Sequence, residues 1–420
     1  MIRTLLGSTA LLSVVILNVN ANAAQPITTP MMATPQIKFS GQTSFNSLFF
    51  KNHRIFKAGD AKDSNCSRQK FGRGQLFDVS SSRLKVNVDG KTDPGMEYGL
   101  VFVFDGNTDK DKIVREDYLY FGGSWGKIYA GDTYGVQDSM AFGGFDQWGG
   151  TGFISGGEMD RVVNYTTGTL HTVDLIGDTS RDTKLTYFTP RWKGLQFGVS
   201  YTPRTEHRGE QGIEARRSVS TPKQPFTTDN IANGINFIHT FTNGFEMALS
   251  ATSIFGKAHS EFRDALPRKN VASYAFGGTF SYADVGFSME YANNNRSFQF
   301  KEGGRKSNGG QFLDFGLSYK WGATKFSGGY YYAWRKALAG GTTTGLSTRK
   351  AKTNGVTAAI DHKLAPGLGV YFEYANLQMK NPAATAEGDR VNAVLGSCGY
   401  IGPVKNNHAN VFIIGSRLVF

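Results

Sequence analysis

From Pro35 onward, apolar side chains recur at every second position. Ile37, Phe39 and Phe45 alternate with Lys38, Ser40, Gln42, Ser44 and Asn46. Leu84, Val86 and Val88 alternate with Arg83, Lys85 and Asn87, and Tyr98, Leu100, Phe102 and Phe104 form another such row. Leu313, Phe315, Leu317, Tyr319 and Trp321 alternate with Asp314, Gly316, Ser318 and Lys320; Phe326, Tyr330, Tyr332 and Trp334 continue the theme, as do Val370, Phe372 and Tyr374 against Gly369 and Glu373. Successive side chains on a strand point to opposite faces, so each segment has one apolar and one polar face. The segments run about 9–14 residues, nearer the tilted strand a bilayer needs than the 5–6 residues usual in soluble sheets. Lipid on one face and water on the other accounts for both the period and the length. Closure into a barrel follows, because hydrocarbon cannot satisfy a free strand edge.

The connections separate into two classes. Short ones fall at Asp89–Gly95, Gly123–Gly126, Pro190–Gly194, Thr242–Gly244, Ala283-Asp284, Trp321-Gly322 and Ala365–Gly367. Long polar stretches fall at 51–74, 105–115, 133–181, 204–230, 255–270, 295–309, 335–352 and 381–406. Seven short turns and eight long loops join sixteen strands. An even strand number puts both termini on one side, the periplasmic side in bacterial barrels. The expected fold is all-β: a transmembrane antiparallel barrel of about sixteen strands over residues 37–420, preceded by a short segment at 24–36.

Composition sharpens this picture. Hydrophobic residues make up 40% and mean hydropathy is −0.32, values that describe a soluble protein unless only alternate residues face lipid. Gly at 52, Phe at 32 and Tyr at 18 suit tight turns and interfacial aromatic girdles. Residues 1–23 read as a secretory signal peptide: Arg3, an apolar run around Leu11, Leu12, Val14, Val15 and Ile16, then small residues at Ala21 and Ala23 for cleavage after Ala23. The run is shorter than the ~20 apolar residues of a spanning helix. The formal charge is +12, and +11 without Arg3. Its Lys and Arg residues are scattered among Gly, Ser and Asn with no basic helix, which argues against nucleic acid as a partner.

Catalytic and cofactor signatures are sparse. His53, His171, His207, His239, His259, His362 and His408 have no metal spacing with one another or with Cys, and no cofactor or metal is expected. The pairs Gly143-Gly144, Gly149-Gly150 and Gly156-Gly157 fall in a loop, not at a strand-to-helix phosphate turn. Cys66 and Cys398 lie in the first and last long loops, which closure of the barrel brings together; a disulfide suits an oxidising periplasm. Segment 133–160 holds Asp138, Asp146, Glu158 and Asp160 with no Lys or Arg, and also Phe142, Phe145, Trp148 and Phe153. Such apolar bulk suits a loop laid against the barrel wall. Its carboxylates would then face inward-pointing Arg83 and Lys85, with Lys38 or Gln42 nearby, across a narrow gap.

The last residues, Val411-Phe412-Ile413-Ile414-Gly415-Ser416-Arg417-Leu418-Val419-Phe420, resemble the terminal strand of outer-membrane proteins, where the final Phe is the signal for the barrel-assembly machinery. Three further stretches resemble the Gram-negative general porin family. They are Ser82-Arg83-Leu84-Lys85-Val86; Asp117-Tyr118-Leu119-Tyr120-Phe121-Gly122-Gly123 with Gly126-Lys127-Ile128-Tyr129-Ala130-Gly131; and Lys184-Leu185-Thr186-Tyr187-Phe188-Thr189-Pro190 with Gly194-Leu195-Gln196-Phe197-Gly198-Val199-Ser200-Tyr201. The resemblance implies a homotrimer set in outer-membrane lipid and lipopolysaccharide, a third loop folded into the lumen, and a water-filled channel for passive diffusion of small hydrophilic solutes and ions rather than an enzyme. Asp132 and Phe188 stand where related porins often carry basic residues. With the acidic loop, this leads to an expectation of weak cation selectivity. Two alternatives stay open at this level: a plugged barrel acting as an adhesin, and a barrel enzyme.

Overall fold

The computed structural model describes residues 35–52, 74–93, 95–106, 113–154, 156–163, 165–166, 168–205, 208–209, 226–259, 268–299, 309–336, 350–382 and 406–420. Residues 1–23, read above as a signal peptide, and the two cysteines expected to pair, Cys66 and Cys398, lie outside them. Sixteen strands form one closed antiparallel barrel, each paired with its neighbours in sequence and the first with the last. They are β1 (Gln36–Asn52), β2 (Gln75–Lys91), β3 (Glu97–Asp105), β4 (Val114–Gly123), β5 (Gly126–Asp132), β6 (Thr183–Phe188), β7 (Leu195–Arg204) and β8 (Phe226–Thr240). The second half comprises β9 (Glu246–His259), β10 (Val271–Tyr282), β11 (Val285–Asn293), β12 (Gln311–Trp321), β13 (Thr324–Lys336), β14 (Lys350–Ala365), β15 (Leu368–Lys380) and β16 (Asn406–Val419). Tight turns and long connections alternate as the sequence leads one to expect. The strands span a wider range than that expectation, from 6 residues in β6 to 17 in β1 and β2.

The period-two pattern maps directly onto the two faces. Phe39, Phe77, Leu317 and Phe372 stand exposed on one face, while Ser40, Asp78, Ser318 and Glu373 beside them are covered or half-covered. Hydrocarbon around that face, as the sequence leads one to expect, would leave the exposure without hydrophobic cost. Trp125, Trp192 and Trp321 sit at the tight-turn end, where amphipathic rings meet the membrane–water boundary. Closure is made by β1 against β16, from Gln42↔Val419 to Asn52↔Ala409. Asn407 Nδ2 donates to Asn52 Oδ1 at 3.0 Å, so the first and last long connections leave the barrel side by side.

One irregularity matters for the polar face. The β1–β2 register shifts between Gln42 and Ser44, and Ser81 on β2 takes φ +55°. This bulge reverses the facing parity of β2. Below it Arg83, Lys85 and Asn87 share the face of Gln42, Ser40 and Lys38; above it Asp78 and Ser80 share the face of Asn46 and Ser44.

Candidate functional site

The connection between β5 and β6, residues 133–182, is the best-anchored long connection among the described residues. It opens with a single helical turn, α1 (Val136–Ser139). From there its main chain travels along the polar face of strand after strand. Val136 N–H donates to Ser200 Oγ on β7 at 3.0 Å, and Phe142 N–H to Ser250 Oγ on β9 at 2.8 Å. Gly144 N–H donates to Asp314 on β12, and Trp148 Nε1 to the Phe315 carbonyl at 2.8 Å. Gly150 N–H reaches Asp361 on β14 at 2.9 Å, and Thr151 N–H reaches Glu373 on β15 at 2.8 Å. Arg417 on β16 donates to the Gly150 carbonyl, and Arg161 pairs with Asp78 on β2 at 3.2 Å. The chain then returns. Thr172 O accepts from Tyr331 Oη at 2.9 Å, Ile176 N–H donates to Asn294 at 2.8 Å, and Gln137 Nε2 closes the circuit on Asp178 at 2.6 Å.

This path explains the paired glycines. A Cβ on Gly144 would lie 2.5 Å from Asp314 Oδ1, one on Gly149 2.4 Å from Asp361 Oδ2, and one on Gly150 2.5 Å from Glu373 Oε2. The absence of side chains at these positions lets the main chain come close enough for the Gly144 and Gly150 N–H groups to meet the wall carboxylates. Between these contacts Phe145, Trp148, Phe153 and Ile154 are buried against the wall, with Trp148 and Phe153 edge to face at 5.3 Å. Asp314 and Glu373 are visible in the sequence as charges on the polar face of a strand, but their partners are not.

The four acids of this segment do not stand in one row facing a gap. Asp160 accepts from Tyr165 Oη and from Gly156 N–H, so its carboxylate organises the loop itself. Burial holds its pKa above the ordinary carboxylate value. Glu158 is ion-paired to Arg161 at 2.9 Å, and burial together with a hydrogen bond to Asp78 raises its pKa to about 7. Asp138 lies with Asp174 and Asp178, the three offering carboxylate oxygens within 4.8 Å of one another. Lys184 beside them donates to the carbonyls of Ser180 and Asp182 at 2.9 and 2.6 Å. Asp146 accepts from Gly143 N–H at 2.9 Å and remains half-buried.

The expected basic residues do share one wall. Lys38 pairs with Asp89 at 2.9 Å, and Gln42 lies opposite Arg83 in the register. The basic half is richer than the sequence suggests. Arg83 lies within electrostatic reach of Arg115, Asp105, Tyr134 and Arg181. Arg115 pairs with Asp105 at 3.2 Å, its other terminal nitrogen faces Tyr134 Oη at 3.4 Å, and Arg181 covers the Tyr134 ring at 5.5 Å. Burial raises the Tyr134 pKa to about 12. Asp132 is no pore-wall substitute for an arginine. It pairs in register with Asp117 on the opposite face, where it meets Arg208 at 3.7 Å. Arg115 and Arg181 thus join Arg83 in one basic group, which the sequence reading did not name. The signal was hidden because Arg115 and Glu116 are adjacent yet both buried at an irregularity of the β3–β4 register, which breaks the parity rule.

Comparison with known proteins matches this architecture. The family model described as Gram-negative porin covers residues 14–382. An uncharacterized protein of Rickettsia prowazekii is 23% identical over 462 residues, covering 96% of this chain and 97% of its own. One of Rickettsia typhi is 24% identical over 281 residues, 58% of each chain. Among solved structures, the trimer form of OmpT, an outer membrane protein of Vibrio cholerae, has a TM-score of 0.56 at 15% identity, covering 92% of this chain and 100% of its own. The outer membrane channel DcaP of Acinetobacter baumannii has a TM-score of 0.51 at 11% identity over 93% of this chain and 99% of its own. A sixteen-stranded closed barrel with seven tight turns, matched over most of its length, places this chain in the Gram-negative porin family, as an outer-membrane channel.

Proposed function

We propose that residues 133–182 lie inside the barrel and narrow a water-filled passage, through which small hydrophilic solutes and ions diffuse passively without chemical change. The observation that carries this reading is the asymmetry of the polar face. On β9 to β15 most of its residues, Ile254, Ala275, Phe312, Tyr331, Ala359 and Glu373 among them, are buried. On β1, β2 and β4 the polar face keeps partial exposure at Ser40, Gln42, Arg83, Lys85, Asn87, Tyr118 and Tyr120. Solvent therefore has room beside these strands. Charged groups there include Lys38, Lys85, Arg83, Arg115 and Arg181, set against Asp89, Asp105 and Glu116 on the wall and Asp138, Asp146, Glu158 and Asp160 on the loop.

Because Glu158 and Asp160 are engaged locally while Arg83, Lys85 and Arg181 keep partial exposure, the passage prefers anions, the reverse of the expectation from the sequence. Opposed charges across the gap order water and disfavour apolar solutes. The functional unit is a homotrimer in the outer membrane, in contact with lipid and lipopolysaccharide and inserted by the barrel-assembly machinery. The trimeric form of the Vibrio cholerae neighbour supports that assembly. Purified protein added to a planar lipid bilayer should give discrete conductance steps, grouped in threes. A protein that inserts and carries no current would overturn the channel in favour of a plugged adhesin or an enzyme.

A further inference from the structure

Arg83 and Lys85 share one face of β2, with Leu84 between them exposed on the other. Alternate residues on a strand lie about 7 Å apart on the same face. The β1–β2 register sets two polar neighbours against them on β1: Gln42 opposite Arg83, and Ser40 opposite Lys85. Each such pair is about 5 Å apart at cross-strand spacing. All four residues keep partial exposure. Guanidinium, ammonium, amide and hydroxyl donors therefore converge on one patch of the polar face.

The cations of this patch have no counter-ion, which separates them from other basic residues of the same wall. Lys38 pairs with Asp89 at 2.9 Å, and Arg115 with Asp105 at 3.2 Å. Arg83 and Lys85 make no hydrogen bond or ion pair with any described residue. Nearby carboxylates are engaged elsewhere. Asp105 stands opposite Arg83 in the β2–β3 register but is held by Arg115. Asp89 accepts from Tyr120 Oη at 2.6 Å as well as from Lys38, and Glu116, beyond Val103 from Lys85, accepts from Thr133 Oγ1 at 3.2 Å. Arg83 Nε and Gln42 Nε2 are enclosed yet have no acceptor among the described residues. An enclosed N–H without an acceptor carries its full desolvation cost, which a ligand bearing oxygen acceptors relieves. Arg181 adds a further guanidinium from the loop, within electrostatic reach of Arg83.

This chemistry selects a ligand class. Two uncompensated positive charges match a doubly negative ion. Donors spread over two strands need several acceptor atoms, which a tetrahedral oxyanion offers and a halide does not. A guanidinium fork also matches paired oxygens. Resting on the channel reading above, we propose that Arg83, Lys85, Gln42 and Ser40 form a binding subsite for small doubly charged oxyanions, phosphate and sulfate, on the wall of the passage. The oxyanion oxygens accept from the guanidinium, the ammonium, the Gln42 amide and the Ser40 hydroxyl.

The probe is inorganic phosphate at about pH 8, above the second ionisation of a phosphoryl group. It is added to single channels in a planar bilayer at constant ionic strength, with sulfate and the singly charged methanesulfonate as comparisons. The expected result is a saturable fall in chloride current with phosphate and sulfate, at concentrations where methanesulfonate has little effect. Arg83→Gln and Lys85→Gln should each raise the half-blocking concentration of phosphate about tenfold, the worth of one charged hydrogen bond. Gln42→Leu alters no charge and should still raise it severalfold, a loss that a passage acting through its field alone would not show. Lys363→Gln, near the tight-turn end of β14, should leave it unchanged. Folding of each variant is checked by its gel shift on heating. Equal block by methanesulfonate, or no effect of Lys85→Gln and Gln42→Leu in folded channels, would refute the subsite while leaving the channel intact. Absence of any current from the unmodified protein would refute the channel itself.

Discussion

Gly150 shows how much of this barrel hangs on single positions. Its backbone sits at φ +63°, where a side chain costs about 1–2 kcal/mol, and an added Cβ would strike Glu373. Gly150→Ala should therefore loosen the loop where it crosses β14 and β15. Trypsin cleavage after Arg161 should accelerate roughly tenfold, since proteolysis follows local opening. Unchanged cleavage would mean that the neighbouring contacts hold the segment without it. Glu158 acts through charge. With its pKa raised to about 7, it is neutral below that pH and negative above it. Acidifying from about pH 8 to about pH 6 thus removes one negative charge beside the passage and should move the zero-current potential in a salt gradient towards anions. Glu158→Gln should abolish that step. A step that persists in the variant would assign the titration to another group.

At the scale of elements, β16 carries the consequence of the terminal residue. Phe420 N–H donates to the Gly41 carbonyl at 3.0 Å and the Gly41 N–H to the Phe420 carbonyl at 2.9 Å. The Phe420 ring lies over Gly41, where a Cβ would come within 2.5 Å of it. The last residue thus completes the seam while its ring stays on the lipid side. Phe420→Ala preserves these main-chain bonds and removes only the ring. Assembly-machinery recognition of that ring predicts a several-fold loss of heat-modifiable barrel in cells, with normal stability for the fraction that assembles. Equal loss of stability would instead mark the ring as a packing residue. On β5, Ile128 and Ala130 share the outward face beside Gly126, a low-relief surface suited to close packing between subunits. A trimer of this kind should survive mild detergent and appear at three times the monomer mass, whereas a lone monomer would refute it.

For the molecule as a whole, the proposed passage would take its selectivity from the charges that share it, not from net charge. Neutralising Asp138, Asp146, Glu158 and Asp160 together should increase anion preference. Arg83→Gln should reduce it, each measured as a shift of the zero-current potential. The Asp160 share of the first effect should be small, because its carboxylate is tied to Tyr165. A potential unmoved by both sets would place the filter elsewhere.

Strand number, turn positions and the facing of Arg83, Lys85, Lys38 and Gln42 could be read from residue order alone. Period-two alternation is a local property of extended chain, and glycine-bearing turns punctuate it. The aromatic bulk of 133–160 likewise announced a loop that needs a surface to cover it. What residue order could not supply was the set of partners. Asp314, Asp361 and Glu373 are distant from Gly144, Gly150 and Thr151 in sequence and meet them only because the chain brings β12, β14 and β15 to the connection after β5. Arg115 joins Arg83 and Arg181 only through a bulge that breaks the alternation on which the reading depends. The sequence therefore determined the barrel, because its code is local. The tertiary structure decided the charge pattern around the connection after β5, because that pattern arises from long-range contacts and from the few places where local regularity fails.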